Sequence, residues 1–179
     1  MLPQPSQTMR QLFEQRTKLH QNLVHQNLVR MAGYNDLPWD LLNAIGLKHD
    51  QSKFTEPERT AYTWQTWWYH CKNNGISFAY PPEIEELVLY GWRHHIRTNT
   101  HHPEAHLRPE DMTILDLVEM VCDWTAISQE QNLNGGSCMP WAKAHMAKKW
   151  RFSASHQKLI ENIIHELDLR NHLNLLGDD

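Results

Sequence analysis

The 179-residue chain has little of what marks several large classes of protein. It has three cysteines, Cys71, Cys122 and Cys138, odd in number and widely spaced, with no C-x-x-C pair. That argues against a disulfide framework and against a thiolate metal ribbon, and reduced thiols in a cytoplasmic protein are expected. Long apolar runs are missing. Stretches such as "LVLYGW" fall far short of the roughly 20 residues a membrane-crossing helix needs, so no membrane partner is expected. The opening "MLPQPSQTMR" lacks the apolar core of a signal peptide. Basic charge is not in excess: 17 Lys and Arg stand against 21 Asp and Glu, a formal net charge of -4. Phosphate backbones are bound by basic surface, so a nucleic-acid polymer is not expected as partner. A small phosphorylated ligand is still allowed, because it needs only a few local cations. Alternating apolar and polar runs long enough for a strand are also lacking.

What is present is helical periodicity, 13 histidines and 8 tryptophans. The spacing predicts a helix over about residues 8 to 32, opened by a capping box at Thr8 and Gln11 and ended by "GYNDLP". Pro38 suits the first turn of a second helix, "PWDLLNAIGLK", which runs into "HDQSKF". "TEPE", Thr55 to Glu58, reads as another capping box. It opens a helix with Ala61, Trp64, Trp67 and Trp68 on one face, a spacing that favours core packing over stacking on a base. A fourth helix begins near Glu83, a fifth spans about 112 to 129, and two more cover about 140 to 150 and 155 to 176. The expected fold is all-α, one helical bundle over residues 1 to 179.

Chemistry concentrates in three places. His49 and Asp50 are adjacent at a predicted helix end, where the backbone can turn both side chains toward one ion. Imidazole with carboxylate suits Mn, Fe, Co, Ni or Zn. "HHIRTNTHHPEAH", residues 94 to 106, holds five histidines. His94 and His95 flank the inward stripe of the fourth helix. His101 and His102 fall on a loop, because Pro103 stops a continuous helix, and His106 reads as incidental. On the fifth helix Asp116, Glu119 and Asp123 form a column of carboxylates. Asp123 sits in the apolar "LVEMVCDWTAIS", where a buried carboxylate calls for a cation. The first helix adds His20 and His25 in a duplicated "HQNLV", and periodicity does not choose between them.

Taken together, these residues resemble the HD-domain superfamily of metal-dependent phosphohydrolases. Its pattern is a histidine on one helix, a His-Asp pair after the next, and a distant aspartate. His25 or His20, His49 with Asp50, and Asp123 follow that order. The chain is more closely similar to a family of bacterial and phage proteins with three recurring segments, here "HDQSKF" (49–54), "HHIRTNTHHPE" (94–104) and "EMVCDWTA" (119–126). Spacing to His49 within that family favours His25 over His20.

The resemblance implies an HD-like bundle holding one or two divalent ions through His20 or His25, His49, Asp50, Asp123, His94 and His95. It implies hydrolysis of a small phosphorylated, nucleotide-like substrate by a metal-activated water. Lys53, three after Asp50, matches a lysine that works near metal or substrate in two branches of the superfamily, and Glu119 is the candidate proton carrier. Arg93, Arg97, Asn99, His101 and His102 are the candidate substrate contacts. Two alternatives share these residues: a mixed-valent di-iron oxygenase, and a non-catalytic binding protein that keeps the site. The "G-Y-P" stretch of the cyclic-dinucleotide branch is missing; "HHPE" stands there instead.

Overall fold

The computed structural model describes residues 3–175, and side chains through 172. Seven α-helices dominate the described chain, joined by loops with short 3₁₀ turns and one π-helical turn (Met146–Trp150), with no strand among the described residues. They are α1 (Gln7–Arg30), α2 (Trp39–Gly46), α3 (Glu58–Asn73), α4 (Pro82–Thr98), α5 (Ile114–Glu130), α6 (Met139–His145) and α7 (Ala154–Leu175). The all-α expectation is met. No described helix is long and apolar enough to cross a membrane.

The chain divides into two compact units, neither continuous in sequence. One comprises residues 1–19 and 50–99; the other comprises 20–49 and 100–179. One boundary falls at the His49–Asp50 peptide bond.

In the first unit α3 and α4 pack together over a small core of Met9, Trp64, Ile84 and Val88, flanked by Trp67, Phe78 and Tyr80. Trp64 stacks on Phe78 with ring centroids 6.3 Å apart, so this tryptophan is a packing residue as its spacing implies. Gly91 decides how closely the two helices approach. A Cβ there would lie 2.3 Å from the Ala61 Cβ and 3.0 Å from the Pro57 carbonyl oxygen. Only hydrogen fits, and α4 therefore lies against the first turn of α3.

The second unit has the larger core, built on Val24, Leu28, Met31, Leu42, Leu117, Val121, Ile160, Ile164 and Leu167. Its α5 is buried almost all round: every residue from Met120 to Ala126 is inside. Such a helix hides whatever polar group it carries, and it carries Asp123. The last carbonyls of α1 are met by Arg170, whose Nη1 donates to the oxygens of Arg30 (2.6 Å) and Ala32 (2.8 Å).

Local cap chemistry corrects three expectations. The N-terminus of α1 is met by Ser6, whose Oγ accepts from the Met9 amide at 3.2 Å; Thr8 is already inside the helix, so there is no Thr8–Gln11 box. "TEPE" is not a capping box either. Thr55 donates its hydroxyl to the Ser52 carbonyl, and Glu58 turns fully inward. The true box lies at α5: Asp116 N–H donates to Thr113 Oγ1, and Thr113 N–H donates to Asp116 Oδ2. Asp116 thereby leaves the carboxylate column and serves the helix end.

Candidate metal-binding clusters

In the second unit, α5 presents Glu119, Asp123 and Glu130 along one side, four and seven residues apart. His20 on α1 lies between two of them. Its Nδ1 is 2.5 Å from Glu130 Oε1 and its Nε2 is 2.9 Å from Asp123 Oδ1. His49 ends the turn after α2, with its carbonyl held by Gln21 Nε2 at 2.7 Å. Its ring is buried, with Nδ1 2.8 Å from Glu119 Oε1 and Nε2 4.0 Å from Asp123 Oδ1. His101, buried on the turn after α4, brings Nδ1 to 3.3 Å from the same Glu119 oxygen, and its ring centroid is 4.5 Å from that of His49. One ligand atom from each of His49, His101 and Glu119 falls within 4.8 Å of the others, a spacing that can hold a metal ion.

Two carboxyls here stay ionised despite burial. Burial alone pushes Glu119 up, but hydrogen bonds and positive charge from His101 and His49 outweigh it and bring the group down from 4.5 to about 2. Burial likewise pushes Asp123 up, and His20, through its hydrogen bond and charge, followed by His49 and His101, holds it well below the usual carboxylate range. The buried anion expected at Asp123 is there, ringed by imidazoles.

The choice of His25 is corrected. Its Nε2 bonds Asn43 Oδ1 at 2.9 Å, and its ring packs on Gly46, where a Cβ would come within 2.5 Å of His25 Cδ2. His25 seats the end of α2 against α1; His20 is the ring that meets Asp123.

In the first unit the chain turns sharply at Asp50, which adopts the left-handed conformation (φ 57°, ψ 18°) at the head of the Gln51–Phe54 3₁₀ turn. An aspartate tolerates this better than most side chains. The turn expected at the His-Asp pair is therefore real. Asp50 is buried, with Oδ1 3.2 Å from His95 Nε2. Its Oδ2 accepts from Lys53 Nζ at 2.5 Å, and that ammonium also lies 4.7 Å from the Tyr62 ring centre. His95 is buried on α4, its Nδ1 2.8 Å from Glu58 Oε2. The neighbouring His94 is about one-third exposed, its Nδ1 2.8 Å from Glu58 Oε1. Ser52 Oγ also donates to Glu58 Oε2 at 2.8 Å. Burial pushes the Glu58 carboxyl up; the hydrogen bonds from His95, His94 and Ser52, with the His95 charge, bring it net down.

Of the candidate substrate contacts, Asn99 is a scaffold: its amide donates to the His95 carbonyl at 2.8 Å. Arg93 and Arg97 are exposed on α4. The His102 ring lies tilted against that of His101, with centroids 4.2 Å apart. His106 bonds the Thr100 carbonyl at 2.7 Å and has a plain structural use.

Glu58 and Glu130 escaped the sequence reading. Glu58 looked like a helix cap. Glu130 lies seven residues after Asp123, two helical turns along the same stripe, and that spacing was a usable signal.

The profile of a family described as "Family of unknown function (DUF5662)" matches residues 9–167. The chain belongs to this family. The DUF5662 match takes in His20, His49, Asp50, Glu58, His95, Glu119, Asp123 and Glu130. No curated protein and no solved structure matches the chain.

Proposed function

We propose that the protein holds one or two divalent transition-metal ions and hydrolyses a small phosphorylated, nucleotide-like substrate. The observation that carries this reading is one arrangement repeated three times. A glutamate meets Nδ1 of a buried histidine, and Nε2 of the same ring faces a buried aspartate: Glu130–His20–Asp123, Glu119–His49–Asp123 and Glu58–His95–Asp50. Metal-ligating histidines characteristically give their far N–H to a carboxylate, which fixes the ring and raises its basicity. Imidazole plus carboxylate is also the donor set that suits Mn, Fe, Co, Ni and Zn.

In the second unit His20, His49 and Asp123, with His101 and Glu119 beside them, would hold an ion; in the first unit Asp50 and His95 would offer ligands of their own. A divalent ion supplies Lewis acidity to a phosphoryl group and lowers the pKa of water. The chain's own residues do the rest. Lys53 is cationic and has no lone pair to give a metal, so it acts on substrate charge, oriented by Asp50 and Tyr62. Arg93 and Arg97 add exposed positive charge for a phosphate. Glu119, already bonded to two imidazoles, holds ligands in place, which is a better use for it than proton transfer. The chain order His20, His49–Asp50, Asp123 is that of the HD-domain superfamily and supports the same reading, as does the lysine after the pair.

The test is metal analysis of the purified protein, followed by phosphatase and phosphodiesterase assays with Mn²⁺, Co²⁺ and Zn²⁺, with and without oxygen. Metal-dependent phosphate release in anaerobic buffer is expected. Turnover that requires both iron and oxygen would replace this reading with an oxygenase. Metal uptake without any turnover would leave a binding protein.

A further inference from the structure

Among the described side chains, Glu58 is a fully buried carboxylate that receives two histidines adjacent in sequence. Consecutive residues on a helix diverge by about 100° and do not normally share a partner. Here they do because Gly91 lets α4 lie on the first turn of α3, three residues before His94 and four before His95. Each carboxylate oxygen takes one ring: Oε1 meets His94 Nδ1 and Oε2 meets His95 Nδ1, both at 2.8 Å. Ser52 Oγ–H fills a further position on Oε2. An ionised carboxylate only accepts, so each ring must carry a proton on Nδ1. Asn99 Nδ2 also lies 3.1 Å from His95 Nδ1, but Nδ1 cannot accept from the amide while donating to Glu58, and the charged carboxylate at 2.8 Å is the stronger partner and decides the tautomer. The two Nε2 atoms differ. That of His95 faces Asp50 at 3.2 Å; that of His94 has no protein partner among the described residues, on a side chain 36% exposed.

We propose that Glu58 is a positioning residue that accepts from Nδ1–H of His94 and His95 together and so keeps the proton of both rings on Nδ1, leaving both to present Nε2, one inward beside Asp50 and one toward solvent. This goes beyond the metal reading in assigning a residue and a tautomer. Its consequence for metal affinity rests on that reading. Glu58 itself touches neither metal nor substrate. It acts through the two rings, as the outer carboxylate of a ligand pair.

The experiment is long-range ¹H–¹⁵N NMR of histidine-labelled, metal-free protein at about pH 8, above the ordinary imidazole range. Resonances are assigned with His94→Gln and His95→Gln, and Zn²⁺ binding is measured by calorimetry. In the native protein both rings are expected to carry a proton on Nδ1. A bare Nδ1 on either ring overturns the proposal, and this needs no variant at position 58. In Glu58→Gln, with helix content checked by circular dichroism, at least one ring should lose its Nδ1 proton. Zn²⁺ affinity should fall about 10- to 100-fold, the usual effect of losing such a partner. A folded Glu58→Gln with unchanged ring protonation and unchanged affinity also overturns it. Native protein that shows both Nδ1 protons yet binds no Zn²⁺ would contradict the metal reading while upholding the hold of Glu58 on the rings.

Discussion

Single residues separate ligands from scaffolding most sharply at His20 and His25, which share the repeated "HQNLV" and differ in what they touch. His20→Ala should lose metal, because it removes the ring that bridges Glu130 and Asp123. His25→Ala should keep metal and cost about 1–3 kcal/mol of stability, since Asn43 loses its partner and a gap opens beside Gly46. Metal content and thermal melts of the two variants check this; metal loss from His25→Ala alone would reverse the assignment. Lys53 makes a second contrast. Lys53→Ala should retain metal and fold but lose most turnover, whereas Asp123→Ala should lose metal. A fully active Lys53→Ala, or one that loses metal as readily as Asp123→Ala, would contradict the role given to the ammonium.

The sequence made some of these residues visible and hid others for physical reasons. Asp123 could be found because an ionisable group in an apolar stretch is itself an anomaly. The His49–Asp50 pair could be found because the two residues sit together at a helix end. The choice between His20 and His25 could not, because both lie in line with apolar neighbours on α1. What separates them is the approach of α2 at Gly46, a contact set by tertiary packing. Glu58 was hidden because the pattern Thr-x-x-Glu before a helix has a local explanation, capping, that the fold does not use.

Among elements, α4 against α3 and the all-round burial of α5 position the chemistry. Gly91→Ala tests the first. The added methyl would meet Ala61 and the Pro57 carbonyl, so α4 must shift, at a cost of roughly 1–3 kcal/mol. His94 and His95 should then lose register with Glu58, and metal affinity should fall along with stability. A melt unchanged from native protein would show that the helices accommodate the methyl. The spans of α1 and α5 and the start of α4 were legible to within a few residues from periodicity, since each has a continuous apolar stripe. The start of α3 was legible in position but not in chemistry, because its first glutamate faces inward.

For the molecule as a whole, the paired carboxylates set a pH dependence. Glu58, Glu119 and Asp123 all titrate below their ordinary values when folded, Glu119 at about 2 against 4.5. A carboxyl lowered by folding contributes its full stabilisation above the unfolded value, and that contribution is lost as pH falls through the folded one. Metal-free protein should therefore lose melting temperature progressively from about pH 4.5 toward about 2, the window marked by Glu119. A melting temperature flat across that window would mean that the imidazole–carboxylate contacts contribute nothing to folding.

The thrice-repeated glutamate–histidine–aspartate arrangement is proposed to hold metal. The most direct measurement is elemental analysis of the purified protein, before and after chelation, alongside its thermal melt. One or two equivalents of Mn, Fe, Co, Ni or Zn per chain are expected. Chelation should lower the melting temperature on the order of 10 °C, since a ligand at about 1,000 times its Kd adds roughly 4 kcal/mol to the folded state. Protein that carries no such metal, takes none up from Mn²⁺, Co²⁺ or Zn²⁺, and melts identically with and without chelator would contradict the account.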